Sequence, residues 1–208
     1  RDLHRHPELG FCETRTARLV AERLVDLGWV VDTGFATTGV VATLKNGDGP
    51  TIGLRADMDA LPMQEESGCD WTSASDGCFH GCGHDGHTTV LLGVAEQLAR
   101  SRRFRGTVHL IFQPAEEGLG GGRVMVEDGL FDRYPCEAVY GFHNMPLLPL
   151  GTAAVRAGPS MASQDTFRVT FQGRGGHAAM PHRCRDAVLA TAEAAVSLQG
   201  LIARELDP

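Results

Sequence analysis

Short apolar segments that alternate with helix-spaced segments are the feature that most restricts the fold of this chain. Residues 107–112 read Thr-Val-His-Leu-Ile-Phe and predict a buried strand, and residues 51–55 predict another. Between them, residues 87–100 carry apolar side chains at helical spacing. This alternation favours an α/β fold with a largely parallel central sheet flanked by helices.

The same patterns predict the remaining elements of the first 157 residues. The turn signal Asn46-Gly47-Asp48-Gly49-Pro50 precedes the strand at residue 51. Further helices are predicted at 14–27 and 122–129, and further strands at 29–32, 38–44 and 138–142.

The pattern changes near Ala157-Gly158-Pro159-Ser160, where we expect a second domain to begin. Residues 165–171 predict a strand, and residues 186–204 predict an Ala-rich helix. One strand and one helix enclose little core. We therefore expect residues 1–157 to form a metal-binding domain without its C-terminal part, and 158–208 to be the start of an inserted α+β domain.

The composition of the chain limits the classes of molecule that it is expected to bind. The formal net charge of −7 gives no general field that would attract nucleic acid or anionic lipid. No segment approaches the roughly 20 apolar residues of a membrane span. The six cysteines occur in a long chain without a secretory signal, which favours reduced cysteines and a cytoplasmic protein. A small-molecule substrate remains the expected partner.

The densest group of chemically active residues lies between Cys78 and His87. The segment Cys78-Phe-His-Gly-Cys-Gly-His-Asp-Gly-His87 holds six potential metal ligands. Thiolate and imidazole suit zinc and neighbouring transition metals. The segment therefore predicts metal binding, either at a catalytic centre or at a structural zinc site.

Acidic residues recur where predicted strands end, which favours the catalytic alternative. Glu116 and Glu117 follow the strand at 107–112, at the sheet edge where open α/β sheets bind ligands. One of two adjacent carboxylates can bind metal while the other takes a proton from water. Asp57 and Asp59 follow another strand, and Asp59 is placed to orient a ligand imidazole. His143 follows a third strand and is a candidate ligand.

Other histidines are predicted to have structural or supporting roles. His4 and His6 lie in a predicted N-terminal helix and are expected to pack. His109 lies within a strand and is expected to be a hydrogen-bonded core residue. His80 and His87 are expected to support the metal loop or to face the substrate.

Taken in order, these motifs resemble one metallopeptidase family over essentially the whole chain. The motifs are Leu3-His-Arg-His-Pro-Glu-Leu-Gly10, Arg55-Ala-Asp-Met-Asp-Ala-Leu-Pro62, Cys82-Gly-His-Asp-Gly-His87, Gln113-Pro-Ala-Glu-Glu117, His143 and Gly175-Gly-His-Ala-Ala-Met-Pro-His182. The set is similar to the aminoacylase/hippurate hydrolase branch of the dinuclear zinc metallopeptidases, which includes the plant auxin-conjugate amidohydrolases. The resemblance implies a zinc-aminopeptidase-like catalytic domain and metal-dependent hydrolysis of N-acyl amino acids.

The resemblance also implies roles for individual residues. The family's bridging cysteine corresponds to Cys82, which would contact both of two divalent metals, zinc, manganese, cobalt or nickel. The following ligand histidine corresponds to His84. Of the paired glutamates, Glu116 corresponds to the general base and Glu117 to a metal ligand. His143 corresponds to the next ligand.

The remaining implications concern support, assembly and the extent of the chain. Asp59 matches a supporting residue, whereas the duty of Asp57 stays open. His177 matches a second-domain histidine that stabilises the oxyanion, often in the partner subunit's active site, so residues 158–208 are expected to begin a lid or dimerisation domain and a homodimer through it is expected. A further ligand histidine near the family's C-terminus has no counterpart here, and we expect these 208 residues to be an N-terminal portion.

Three alternatives stay open at this point. Cys82 could be a nucleophile that uses a nearby histidine as its base. Cys78, His80, Cys82 and His84 could form a closed structural zinc site in a binding module. The polypeptide could also have the family's fold and lack catalytic activity.

Overall fold

The computed structural model describes residues 1–161 and 165–205, and the chain divides into two compact units at residues 152 and 153. In chain order, the first unit contains α1 (Asp2–Arg5), α2 (Thr14–Asp26), β1 (Val30–Phe35), β2 (Gly39–Asn46), β3 (Thr51–Asp57), α3 (His84–Ser101), β4 (Gly106–Gln113), α4 (Gly121–Glu127), α5 (Leu130–Arg133) and β5 (Ala138–Gly141). The second unit contains a 3₁₀ turn (Pro181–Arg183) and α6 (Ala187–Glu205).

The five strands form one mixed sheet in the order β1-β2-β4-β3-β5. β3 is parallel to both β4 and β5, whereas β2 is antiparallel to both β1 and β4. Four strands therefore point the same way, as the largely parallel prediction requires, and β2 is the exception. The connection between Phe35 and Gly39 is too short for a crossover, so β1 and β2 must be antiparallel.

One face of the sheet is covered by α2 and α3. Val20 and Leu24 of α2 pack with Leu91 of α3 against Leu110 and Phe112 of β4, and these side chains are buried. Each such side chain stabilises the fold by about 1.5–3 kcal/mol through removal of apolar surface from water. The spacing of apolar residues in α2 and α3 is thus explained by one shared core.

The opposite face carries a smaller apolar cluster beneath α4 and α5. Val41 and Ile111 point to this face and pack with Met125 and Leu130 of the two short helices. Helices on both faces complete the flanked sheet that the alternating pattern predicts. β4 is buried on both faces because the two clusters share it.

The second unit differs from the sequence-based prediction in one element. Residues 165–171 were expected to form a strand, but they are exposed and form no strand in the structure. The alternating pattern of these residues indicates which strand face could be buried, but a strand also needs a partner. In the described part of the second unit, the only bridge pairs Arg174 with Arg185.

The predicted Ala-rich helix is confirmed as α6. Asp186 explains where it begins, because Oδ1 accepts hydrogen bonds from the backbone N–H groups of Val188 and Leu189 at 2.9 and 3.0 Å. The assignment of residues 158–208 to a lid or dimerisation domain stays a prediction.

Three further expectations concern the described residues. His109 is buried, with Nδ1 2.8 Å from the Thr43 hydroxyl, so it is a hydrogen-bonded core histidine as predicted. All six cysteines are unpaired. Over the described ranges, no helix has both the length and the apolar character needed to cross a bilayer.

Candidate metal centre

The parallel strands β3, β4 and β5 bring their following loops to one edge of the sheet. Asp57 ends β3 directly beside Gln113, which ends β4. Residues 58–59, 114–117 and 142–144 follow these three strands. Strand direction and order therefore gather the predicted acids and His143 at one place.

The loop that carries Cys82 reaches the same edge because of Gly83. Gly83 has a φ of 85° and lies against the Asn144 side chain, where a Cβ would meet Oδ1 at 2.7 Å. Glycine is therefore required by both conformation and space. α3 begins at His84, earlier than the predicted start at His87, and its first residue is the candidate ligand.

Four predicted ligands converge in two overlapping groups that share His84. Cys82 Sγ lies 3.4 Å from His143 Nε2, and His84 completes that group. In the second group, His84 Nε2 lies 3.8 Å from Glu117 Oε1 and 3.9 Å from Glu116 Oε2. Such a set of thiol, imidazole and carboxylate donors suits zinc and related divalent metals.

Buried polar atoms without partners show that the donor set fits a cation. Both ring nitrogens of His84 and Glu117 Oε1 are buried and make no hydrogen bond. Such atoms are rare in folded proteins because each costs about 1–3 kcal/mol. A metal bound between these donors would satisfy them.

Asp59 contacts both halves of this donor set. Its Oδ1 lies 3.3 Å from His84 Nδ1, a close contact whose alignment falls short of a hydrogen bond. Its Oδ2 accepts a hydrogen bond from the Glu117 backbone N–H at 2.9 Å. Asp59 therefore lies between a candidate ligand imidazole and the loop of a candidate ligand carboxylate, and its supporting role stays a prediction.

The pairing of Asp57 with His87 is not predicted by the sequence. Asp57 Oδ1 lies 2.6 Å from His87 Nδ1, and the Arg55 guanidinium donates to Oδ2 at 2.8 Å. Burial alone would raise the pKa of Asp57, but the His87 contact and the Arg55 charge outweigh it and lower the pKa to about 2. Asp57 is thus a carboxylate at neutral pH.

Asp57 and His87 also extend the candidate ligand set. Their donor atoms form a third group with His84, whose Nε2 lies 3.6 Å from Asp57 Oδ2. His87 Nε2 already contacts the side-chain oxygen and the backbone N–H of Asn144, so it is less available as a metal ligand than His84 Nε2. The spacing of three residues between His84 and His87, on one helix face, was the available signal.

The environment of Cys82 keeps its thiol protonated when no cation is bound. Burial and the nearby Glu117 carboxylate raise the pKa of Cys82 to about 12. A divalent cation reverses this preference, because thiolate is the form that ligates metal. Metal binding at this site must therefore release a proton.

The buried side chain of Glu13 holds the loop that carries Glu116 and Glu117. Ala115 has a φ of 51°, and its N–H donates to Glu13 Oε1 at 2.8 Å. Glu13 Oε2 accepts from the buried Thr38 hydroxyl at 2.5 Å. Burial raises the pKa of Glu13. The contact spans more than a hundred residues of sequence, and no local motif indicates it.

Three further candidates are not among the four converging ligands: Cys78, His80 and His177. His80 is buried with no partner for either ring nitrogen, and burial lowers its pKa to about 4. In the described ranges, neither His80 nor Cys78 joins Cys82 and His84 in a group of converging ligand atoms. His177 belongs to the second unit and is exposed, and its Nδ1 accepts from the Ala179 N–H at 3.2 Å.

Several known proteins are similar to this chain in sequence or in structure. The chain is 46% identical over 207 residues to a hippurate hydrolase from Campylobacter jejuni, a match that covers 99% of this chain and 54% of the relative. It is 44% identical over 211 residues to the IAA-amino acid hydrolase ILR1-like 2 of Arabidopsis thaliana, covering 100% of this chain and 47% of the relative. The chain therefore spans about half the length of the curated relatives it matches.

One solved structure is also similar to this chain. The YXEP protein of Bacillus subtilis, a dinuclear metal-binding peptidase from the M20 family, matches with a TM-score of 0.72 at 42% identity. The match covers 76% of this chain and 44% of that chain. The sequence profile of peptidase family M20/M25/M40 matches residues 53–206, and the chain belongs to that family.

Proposed function

We propose that the full-length protein is a divalent-metal-dependent amidohydrolase that cleaves the amide bond of N-acyl amino acids, with Glu116 as the general base. The two relatives named above support the substrate class, because one is called a hippurate hydrolase and the other an IAA-amino acid hydrolase. Both names denote hydrolysis of a conjugate between an acid and an amino acid.

The different environments of the two adjacent glutamates are the observation that carries this proposal. Glu117 Oε1 is buried and unpaired, and it lies 3.8 Å from His84 Nε2. The Glu116 side chain is 41% exposed, with Oε2 3.9 Å from that nitrogen. One carboxylate is therefore held among the ligands, whereas the other borders them and stays open to water.

The ligands of two divalent metals would come from Cys82, His84, Glu117 and His143. Bound divalent metals lower the pKa of water in the site and polarise the amide carbonyl. The Asp57 carboxylate adds negative charge beside His84, which favours the binding of cations.

Glu116 performs the proton transfers in this proposal. Its carboxylate takes a proton from the attacking water as the carbon–oxygen bond forms. The carboxyl group then donates this proton to the nitrogen of the leaving amino acid as the carbon–nitrogen bond breaks. The base is regenerated without a covalent acyl-enzyme, so Cys82 needs no nucleophilic role.

His177 is the proposed donor to the oxyanion of the tetrahedral intermediate. Because Nδ1 accepts a hydrogen bond from Ala179, the neutral ring carries its proton on Nε2, and this N–H is free to donate. A homodimer through the second domain, in which His177 serves the partner's site, is part of the same proposal.

The test uses the full-length protein and N-benzoylglycine as substrate, with metal content measured on the same samples. Chelation should abolish hydrolysis, and added zinc, manganese or cobalt should restore it. Glu116→Gln should keep the metal and lose about 10²–10⁴-fold in kcat, the usual contribution of general-base catalysis. Glu117→Gln should instead lower the metal content.

A matched control and two outcomes decide the question. Glu127→Gln, an exposed acid on α4, should change neither metal content nor kcat. Near-normal hydrolysis by Glu116→Gln would refute its role as base. Hydrolysis that survives chelation but is lost on thiol alkylation would favour a Cys82 nucleophile instead.

A further inference from the structure

A second cluster of metal-binding side chains lies outside the candidate metal centre, between α1 and the loop that follows β3. It consists of His4, Glu65 and Cys69, whose donor atoms all lie within 4.8 Å of one another. His4 Nε2 lies 3.1 Å from Glu65 Oε1, and Cys69 Sγ lies 3.8 Å from the same oxygen. None of these residues belongs to the candidate metal centre.

Two of the three separations in this cluster are close to those of ligands on one tetrahedral ion. With zinc bonds of about 2.05 Å to nitrogen, 2.1 Å to oxygen and 2.3 Å to sulfur, a tetrahedral angle places nitrogen and oxygen about 3.4 Å apart. It places sulfur and oxygen about 3.6 Å apart. Each of these two distances differs from its ideal by about 0.3 Å or less, and the third pair, His4 and Cys69, has its donor atoms within 4.8 Å.

The surroundings orient these ligands as in metal sites. His4 Nδ1 lies 2.9 Å from Asp85 Oδ2, so a carboxylate holds the ring while Nε2 faces the cluster. The Glu65 side chain is 2% exposed, and its Oε2 accepts from the Ser73 N–H at 2.6 Å, which leaves Oε1 for the cluster. The exposed Ser67 hydroxyl contacts both Glu65 Oε1 and Cys69 Sγ.

An ion at this position would stabilise a segment that has little other support. Residues 62–77 form neither helix nor strand. Besides the cluster, Arg5 connects the segment to α1. Its backbone oxygen accepts a hydrogen bond from the Ala74 N–H, and its guanidinium donates one to the Asp70 backbone oxygen. Segments of this length without secondary structure are uncommon in compact domains, and they are usually functional or flexible.

We propose that His4, Glu65 and Cys69 form an additional site for a zinc-like divalent metal, with water in the fourth position, which fixes the loop after β3 to α1. The ligand set shares no residue with the candidate metal centre, so the proposal stands independently of the proposed function. Asp85 follows His84 directly in the sequence and contacts His4, so this site also supports the start of α3.

The test measures bound metal rather than hydrolysis. Full-length protein is loaded with cobalt, freed of excess metal by gel filtration, and assayed for metal content and thiolate-to-cobalt absorption. A Cys82→Ser background removes the thiolate of the candidate metal centre. The absorption that remains should disappear when Cys69→Ser is added, with the loss of one equivalent of metal. His4→Gln should produce the same loss of metal.

Cys12→Ser is the control, because Cys12 is an exposed cysteine outside the cluster. It should leave the metal content and the absorption unchanged. Melting temperatures should rise on addition of metal in the wild type and rise less in Cys69→Ser, whereas the two metal-free proteins should melt alike. Cobalt absorption and metal content that stay unchanged when Cys69→Ser is added to the Cys82→Ser background would overturn the proposal and leave His4 as an imidazole paired only with Glu65 and Asp85, as would a Cys82→Ser protein with no cobalt absorption at all.

Discussion

Asp59 contacts one candidate ligand with each of its carboxylate oxygens. Oδ1 lies 3.3 Å from His84 Nδ1, and Oδ2 accepts the Glu117 backbone N–H at 2.9 Å. The residue thereby connects the start of α3 to the loop after β4. Burial alone would raise the pKa of Asp59, but His84 and the backbone N–H groups of Glu116 and Glu117 lower it, so the carboxylate is charged at neutral pH.

Replacing Asp59 should weaken metal binding while the ligands stay in place. Asp59→Asn removes the charge that favours the metal-binding orientation of His84, and loss of such support costs about 10–100-fold in metal affinity. Competition with a coloured chelator measures this change. Asp48→Asn, in an exposed turn, is the matched control. An affinity equal to that of the wild type would show that Asp59 does not support the ligands.

A methyl group at Gly121 should displace the loop of the paired glutamates. The added Cβ would collide with the carbonyl oxygen of Pro114 and lie 2.7 Å from its carbon, and backbone atoms cannot rotate away. Gly121→Ala should cost about 1–3 kcal/mol of unfolding free energy, as overpacking does, and should also weaken metal binding. Urea unfolding and chelator competition measure the two effects.

Gly93 in α3 supplies the comparison, because nothing lies within 4 Å of the Cβ that alanine would add there. Gly93→Ala should stabilise the protein by about 0.5–1 kcal/mol through helix propensity. Equal stability of the two variants would mean that the loop near Pro114 has room for a side chain.

Loss of the Thr38 hydroxyl should destabilise the fold. Thr38→Val removes the donor to the buried Glu13 oxygen and costs about 1–3 kcal/mol, because a buried acceptor loses its partner. Thr33→Val, an exposed substitution on β1, should change stability by less than about 0.5 kcal/mol. Urea unfolding of both variants checks this, and equal unfolding free energies would contradict the structural role of Glu13.

Acidification should destabilise the protein partly through His109. Burial lowers the pKa of His109 below its ordinary value of 6.5, so folding favours the neutral ring. The resulting stabilisation is complete above pH 6.5 and is lost as the pH falls through the folded-state pKa. The melting temperature of the wild type should therefore fall more between pH 8 and about 5 than that of His109→Asn, which keeps a polar partner for Thr43. Parallel curves would show that His109 does not contribute.

The strand ends were predictable from the sequence because they depend on local patterns. Strand-like segments followed by Asp57, Glu116 and His143 indicated which loops carry chemistry, and the parallel strands brought those loops together. The order of strands was not predictable in this way, since β4 lies between β2 and β3. Periodicity identifies a strand's buried face but says nothing about its neighbours.

Long-range polar contacts were equally inaccessible to pattern reasoning. The contact of Glu13 with the loop at Ala115 and the pairing of Asp57 with His87 depend on tertiary packing. Residues 165–171 show the opposite failure, because a strand-like pattern without a partner forms no strand in the described structure. What the sequence did provide was the resemblance that assigned roles to Cys82 and His84.

Anomalous diffraction from crystals of the zinc-loaded full-length protein is the most direct test of the central claim. The account predicts two adjacent zinc peaks about 3.5–4 Å apart, on either side of Cys82 Sγ and each about 2.3 Å from it. His84, Glu117 and His143 should be among their ligands. A single zinc ion held by Cys78, His80, Cys82 and His84 would contradict the account and identify a structural zinc site instead.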